Sequence, residues 1–178
     1  MDGWHDRDAV MLGTCRRVVT ANIVRPVATM LWGGTCAMKS YEVTAMIEAG
    51  PDAIWAILTD APKYSDWDSG VARVEGHIAP GEKITVFSKV NPGRAFPVEV
   101  TGFSPGQKMV WSGGMPLGLF RGVRTFTLSP QGSAATRFTM REEYTGPLVP
   151  LIWRSMPDLG PSFEQFAVGL KNRAESAD

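Results

Sequence analysis

The sequence predicts an α+β fold: a curved antiparallel sheet of about seven strands laid over a long C-terminal helix. Three observations predict it. Six strand-like runs follow one another between Val71 and Tyr144, with short turn signals between them. A further run, Tyr41 to Ala49, precedes them and leads into a helical pattern. The chain then closes on a stretch whose apolar residues recur at helical spacing. A sheet with one apolar face must cover that face, and this last stretch is the natural cover.

The elements follow in order. "YEVTAMIEA", residues 41–49, alternates and is partly β-branched, so it reads as a strand. In "GPDAIWAILTD", Pro51 suits a first helical turn, and Asp52 favours it through the helix dipole. Ile54, Ile57 and Leu58 make the buried stripe. "APKYSDWDSG", residues 61–70, is a turn or a short second helix. Strand runs then cover 71–78, 82–90, 94–103, 108–114, 119–128 and 135–144. Pro80-Gly81, Pro92-Gly93, Pro105-Gly106, Gly113-Gly114 with Pro116, and Pro130 to Gly132 punctuate them. In the first run Val74 and Ile78 share one face while Arg73, Glu75 and His77 share the other, which turns His77 to solvent. Near the end, Leu148, Leu151, Ile152 and Met156 form one stripe. Phe163, Phe166, Ala167 and Leu170 form another. The expectation is a single long amphipathic helix bent near Pro157.

Bulk properties narrow the function. The 178 residues suggest one domain with length to spare. Lys plus Arg number 18 and Asp plus Glu 18. The balance argues against a nucleic-acid partner and offers no bulk attraction to anionic membranes. No run reaches the ~18 apolar residues of a membrane span, so stable membrane insertion is not expected. The only cysteines are Cys15 and Cys36, which excludes a disulfide framework from Ala37 onward. That fits a reducing compartment, and a cytoplasmic location is expected. His5 and His77 are the only histidines, and no zinc-type spacing of His with Cys occurs. No metal or cofactor is expected. A homodimer is compatible with the sequence, which leaves the oligomeric state open.

Residues 1–38 lack any sustained period and read as an extension to a domain spanning 39–176. Three readings compete for them. A signal peptide would use Arg16-Arg17 as its charged region and end at Ala37, but Arg25 interrupts its apolar core. A disordered or loosely docked tail is the second. A true start at Met38 is the third, since "MKSYEVTAMIEA" opens a domain naturally.

The stretch "RTFTLSPQGSAATRFTMREEY", residues 124–144, reads as a β-hairpin turning around Gln131 to Ser133. Phe126, Leu128, Phe138 and Met140 fall on one face. Arg124 and Glu142 share that face, where the core should be. Thr125, Thr127, Thr139, Arg141 and Glu143 fall on the other. Arg124 and Glu142 are thus neighbours across the hairpin, directly or diagonally. One reading is a salt bridge closing one end of the sheet. The other is a polar anchor in an apolar pocket. The two are compatible.

From Met38 to about Arg173 the chain resembles the START-like, or SRPBCC, superfamily of helix-grip proteins, which includes the Bet v allergen-like proteins. Within it the chain looks most like bacterial polyketide cyclase/dehydrase-like proteins. "IEAGPDAIWAILTDAPKYSDWDSGV" resembles the opening strand and helix pair. "MVWSGGMPLGLFRGVRTFTL" and "TRFTMREEYTGPL" resemble the late hairpin, and "PLIWRSMPDLGPSFEQFAVGLKNRAE" the bent final helix. Ala134-Ala135 stands where many relatives carry Gly-Thr, which touches turn geometry alone. The resemblance implies two short helices after the first strand and a cavity between the sheet and the last helix. Parity and helical spacing nominate its walls: Met109, Trp111, Phe120, Phe126, Phe138 and Met140 from the sheet, and Ile152, Met156, Phe163 and Phe166 from the helix. For each, plain core packing is the competing reading. Tyr64 and Trp67, after the first helix, either gate the mouth or cap the core.

The chemistry is bounded by what is absent from the sequence. No cysteine follows Cys36, and His77 points outward, so nucleophilic catalysis lacks a base. "GGMPLG" lacks the lysine and context of a phosphate loop. Acid–base work by Glu142 or Glu99 with Arg124 remains, although an Arg neighbour makes a carboxylate a weak base. Three functions stay open: binding of a small hydrophobic molecule, a polyketide cyclase/dehydrase-like enzyme using Glu142 and Arg124, and a protein-interaction module with a filled core.

Overall fold

The computed structural model describes residues 38–132 and 134–176. The three readings of the N-terminal stretch, with Cys15, Cys36 and His5, lie outside the described residues. β1 (Lys39–Ile47) leads into α1 (Pro51–Thr59) and a 3₁₀ turn (Ala61–Ser65). Six strands follow: β2 (Val71–Glu75), β3 (Lys83–Ser88), β4 (Ala95–Ser104), β5 (Lys108–Gly114), β6 (Arg121–Gln131) and β7 (Ala135–Thr145). α2 (Val149–Ser155) and α3 (Gly160–Glu175) end the chain.

All seven strands join one antiparallel sheet in the order β1-β7-β6-β5-β4-β3-β2. The last six strands form a meander, and β1 returns to pair with β7. Register shifts between Val71 and Arg73 and between Thr101 and Ser104 interrupt the ladders. Such bulges increase local twist and curl a sheet. Alternation sorts the two faces as expected. Phe126, Leu128, Phe138 and Met140 are buried. On the outer face the Thr44 and Thr139 hydroxyls pair, and Arg141 bridges Glu42 and Glu143 at 3.2 and 2.8 Å.

α1 begins at Pro51 after an extended Gly50, and buries Ile54 and Leu58, one turn apart. The segment at 61–65 is a 3₁₀ turn that buries Tyr64, whose hydroxyl donates to the Leu58 carbonyl at 2.8 Å. His77 is exposed. α3 lies over the sheet, burying Phe163, Phe166, Ala167, Leu170 and Ala174. It also passes hard against the chain at Asp68. A Cβ on Gly169 would collide with the Asp68 carbonyl, so only glycine allows this approach.

The expected single bent helix is in fact two helices. Met156 is extended (φ −78°, ψ 130°), because a proline at the next position disfavours helical geometry. Residues 156–159 then cross to α3, where the Gly160 N–H donates to Asp158 Oδ1 at 3.0 Å. Leu151, expected on the apolar stripe, is 66% exposed. A helix of seven residues presents one short face, and α2 uses it to bury Val149.

Candidate functional site

The hairpin of β6 and β7 places the two charges. Gln131 pairs with Ala135, and Gly132 takes a left-handed φ of 72° in the short loop between them. That register sets Arg124 directly opposite Glu142. Arg124 Nε donates to Glu142 Oε2 at 2.8 Å and Nη2 to the same oxygen at 2.5 Å. The side chains are 22% and 14% exposed, so the pair is neither sealed nor on the surface. The Arg124 guanidinium also lies 5.1 Å from the Phe163 ring centroid, a cation–π contact.

Neighbouring groups tune the pair. Burial works against the charge on Arg124. The Glu142 carboxylate and Tyr144 outweigh burial and hold the guanidinium above its ordinary value. Burial, reinforced by Glu142, keeps the Tyr144 hydroxyl protonated well above the usual tyrosine range. Tyr144 is therefore a neutral hydrogen-bond donor beside the carboxylate.

The nominated residues fall into two groups. Trp67, Met109, Trp111, Phe126, Phe138, Met140 and Phe166 are buried in a packed interior. Phe166 is its centre: its ring lies 5.1 Å from Trp67, 5.8 Å from Phe126 and 6.1 Å from Phe138. Trp111 meets Phe126 edge-on at 4.9 Å. Trp67 and Tyr64 pack 5.4 Å apart in this core. Phe120, Arg124, Glu142, Ile152 and Met156 are half-buried, and buried Phe163 joins the two groups.

Three aromatic residues of the half-buried end were not nominated from sequence. Tyr41 faces Glu142 in the β1–β7 register and stacks on Trp153 at 5.4 Å. Tyr144 meets Trp153 edge-on at 5.9 Å and stacks on Phe120 at 5.8 Å. Tyr144 continues the parity of Phe138, Met140 and Glu142, so its face was readable. Tyr41 depends on which strand β1 pairs with, and Trp153 on where α2 stops. Glu99 pairs with Lys83 and Ser112 in the β3–β4–β5 ladders, and the register does not set it beside Arg124.

A depression of about 150 Å³ lies elsewhere, lined by Ala56, Ile57, Asp60, Lys63, Trp67 and Arg173. Among the described residues no group of three or more His, Cys, Asp or Glu gathers to hold a metal ion.

A half-buried Arg–Glu pair with aromatic walls can orient a small apolar molecule by one polar end. A family model described as polyketide cyclase/dehydrase and lipid transport matches residues 38–175. The chain belongs to this family. Solved structures share its fold. A START superfamily protein from Mycobacterium smegmatis is 15% identical with a TM-score of 0.60, over 78% of this chain and 99% of that one. A Streptomyces aromatase/cyclase is 13% identical with a TM-score of 0.61, over 78% and 94%. A norcoclaurine synthase from Thalictrum flavum, in complex with dopamine and hydroxybenzaldehyde, is 16% identical with a TM-score of 0.59, over 84% and 98%. No curated protein matches the chain. Family and fold together mark a START/polyketide cyclase-like ligand-binding domain with the helix-grip architecture. Among the described residues no helix is long and apolar enough to cross a membrane.

Proposed function

We propose that the chain binds a small hydrophobic molecule, lipid-, aromatic- or polyketide-like, at the Arg124–Glu142 end of the fold. One observation carries this reading: a charged pair on the concave face is left half-buried among aromatic rings. Both guanidinium contacts go to Oε2 of Glu142, and Nη1 forms no hydrogen bond to that carboxylate. Arg124 can therefore meet the carbonyl or acidic end of a ligand while still paired. Tyr41, Phe120, Tyr144 and Trp153 supply flat apolar walls. The packed rings around Phe166 form the floor. The ligand thus sits at one end of the grip rather than deep under α3.

A second reading shares this seat. Tyr144 stays protonated beside Glu142, and Arg124 stays charged. Together they suit stabilisation of an enolate, as a cyclase or dehydrase requires. Under it, Glu142→Gln keeps binding and abolishes turnover.

Native mass spectrometry of the full chain tests the proposal. A stoichiometric small molecule that is retained, and is lost from Arg124→Gln, supports it. An empty protein whose melting temperature does not move with a panel of lipids and aromatic polyketides overturns it. The filled-core interaction module would then stand.

A further inference from the structure

The chain enters the fold beside the Arg124 end. Met38 is exposed, and Lys39 pairs with Tyr144 at the start of β1. The Lys39 Nζ lies 5.7 Å from the Trp153 ring centroid. β1 and β7 run antiparallel, so the chain before Lys39 leaves the sheet beside the link from β7 to α2. Residues 1–37, which lie outside the described residues, are thus joined to the domain at this end.

The face at this end is apolar and incompletely covered. Phe120, Ile152, Trp153 and Met156 are half-buried, and Leu151 is exposed. Phe120 and Trp153 flank Tyr144, the first stacked on it at 5.8 Å and the second edge-on at 5.9 Å. Each of these two rings keeps part of its surface open.

The segment just before β1 has matching chemistry. Residues 26–38, "PVATMLWGGTCAM", carry no charged side chain, and Val27, Met30, Leu31 and Trp32 are large and apolar. Segments that remain in solution are poor in such groups and rich in charge. This one gains by covering its apolar surface, and it is too short to span a bilayer. Gly33-Gly34 is a turn signal between Trp32 and β1, where the chain can double back. Trp32 stands seven positions before Lys39, an extended reach of about 23 Å. The tether also holds the tract near this face at an effective concentration on the order of mM, well above that of a second copy in dilute solution.

We propose that residues 27–32 fold back as a tethered cover on the Arg124 end, with Trp32 placed between Phe120 and Trp153. An indole there fills the space an aromatic ligand would take. The cover is therefore autoinhibitory, a consequence that rests on reading this end as the ligand seat. Ligand binds only the uncovered fraction, and its apparent affinity falls in proportion.

The test is NMR of the full chain without ligand. Nuclear Overhauser contacts from the Trp32 indole to the Phe120 and Trp153 rings are expected, unchanged on dilution. The variant Leu31→Ser with Trp32→Ser should move the Trp153 indole signal, spare Trp55, and keep the parent's circular dichroism. It should also bind anilinonaphthalene sulfonate about tenfold more tightly, the ratio for a cover closed about nine-tenths of the time. A Trp32 indole without contacts to the domain overturns the proposal, as does binding of the probe with unchanged affinity. Contacts that appear between labelled and unlabelled copies overturn it in favour of a second copy. Contacts that form only with phosphatidylglycerol vesicles overturn it in favour of a lipid surface. The ligand reading fails separately: Trp32 contacts with no probe binding by either chain would leave the cover standing without it. Probe binding that is lost in Arg124→Gln, with Trp32 free of contacts, would do the reverse.

Discussion

Arg124 and Glu142 stand opposite each other across β6 and β7, and both guanidinium contacts converge on one carboxylate oxygen, at 2.8 and 2.5 Å. Removing one partner leaves a half-buried charge beside apolar rings. Fully buried pairs lose ~3–5 kcal/mol on such a change, and partial exposure reduces this. Arg124→Met should therefore cost about 2 kcal/mol, read as a lower urea midpoint. The double variant Arg124→Met with Glu142→Leu should recover most of the loss. A single variant as stable as the parent would place the pair effectively in water.

All three tyrosines of the chain, Tyr41, Tyr64 and Tyr144, are held protonated above the ordinary value of 10.0, first of all by burial. The unfolded chain loses these protons near pH 10 while the folded one keeps them. Stability from this source is complete below about pH 10 and falls as pH rises beyond it. Unfolding followed by urea at rising alkaline pH should show that decline. Tyrosinate absorbance should stay low in the folded protein and appear with unfolding. Tyrosines that ionise normally in the folded state would contradict the burial described here.

Gly169→Ala should destabilise. Within a helix that change ordinarily helps by up to ~1 kcal/mol. Here the new Cβ meets the Asp68 backbone, which has no flexible end to move aside. A loss of about 2–3 kcal/mol is expected from the displaced α3. A neutral or stabilising result in thermal melts would show that α3 can slide.

Phe166→Ala should be the costliest core truncation. Its ring touches Tyr64, Trp67, Phe126 and Phe138 and is almost fully buried. A loss of roughly 3–5 kcal/mol is expected, together with a new apolar cavity. Binding of benzene or xenon by the variant, and not by the parent, would confirm that the interior under α3 is filled.

Period-two alternation was enough to read Arg124 and Glu142 as inward and paired, because a hairpin's side-chain period leaves one free choice, the turn position. The strand count and the meander followed from Pro-Gly punctuation. Depth was not legible. Parity places Met109 and Phe120 on a face, but only packing shows that the first is sealed and the second half open. The break at Met156 is a local effect of Pro157 whose size, bend or full break, depends on what α3 must reach. Tyr41 joins the site because β1 pairs with β7, distant strands in sequence: Thr44 meets Thr139 across 95 residues.

The central claim is that the ligand seat lies at Trp153 and Arg124, not in the packed interior. Its most direct test is an NMR titration of the full chain with anilinonaphthalene sulfonate, an aromatic anion, followed at the tryptophan indole N–H signals. Saturable one-to-one binding that moves the Trp153 signal, spares Trp55 and is lost in Arg124→Gln is the predicted result. Saturable binding that leaves Trp153 unmoved, or persists unchanged in Arg124→Gln, would contradict it.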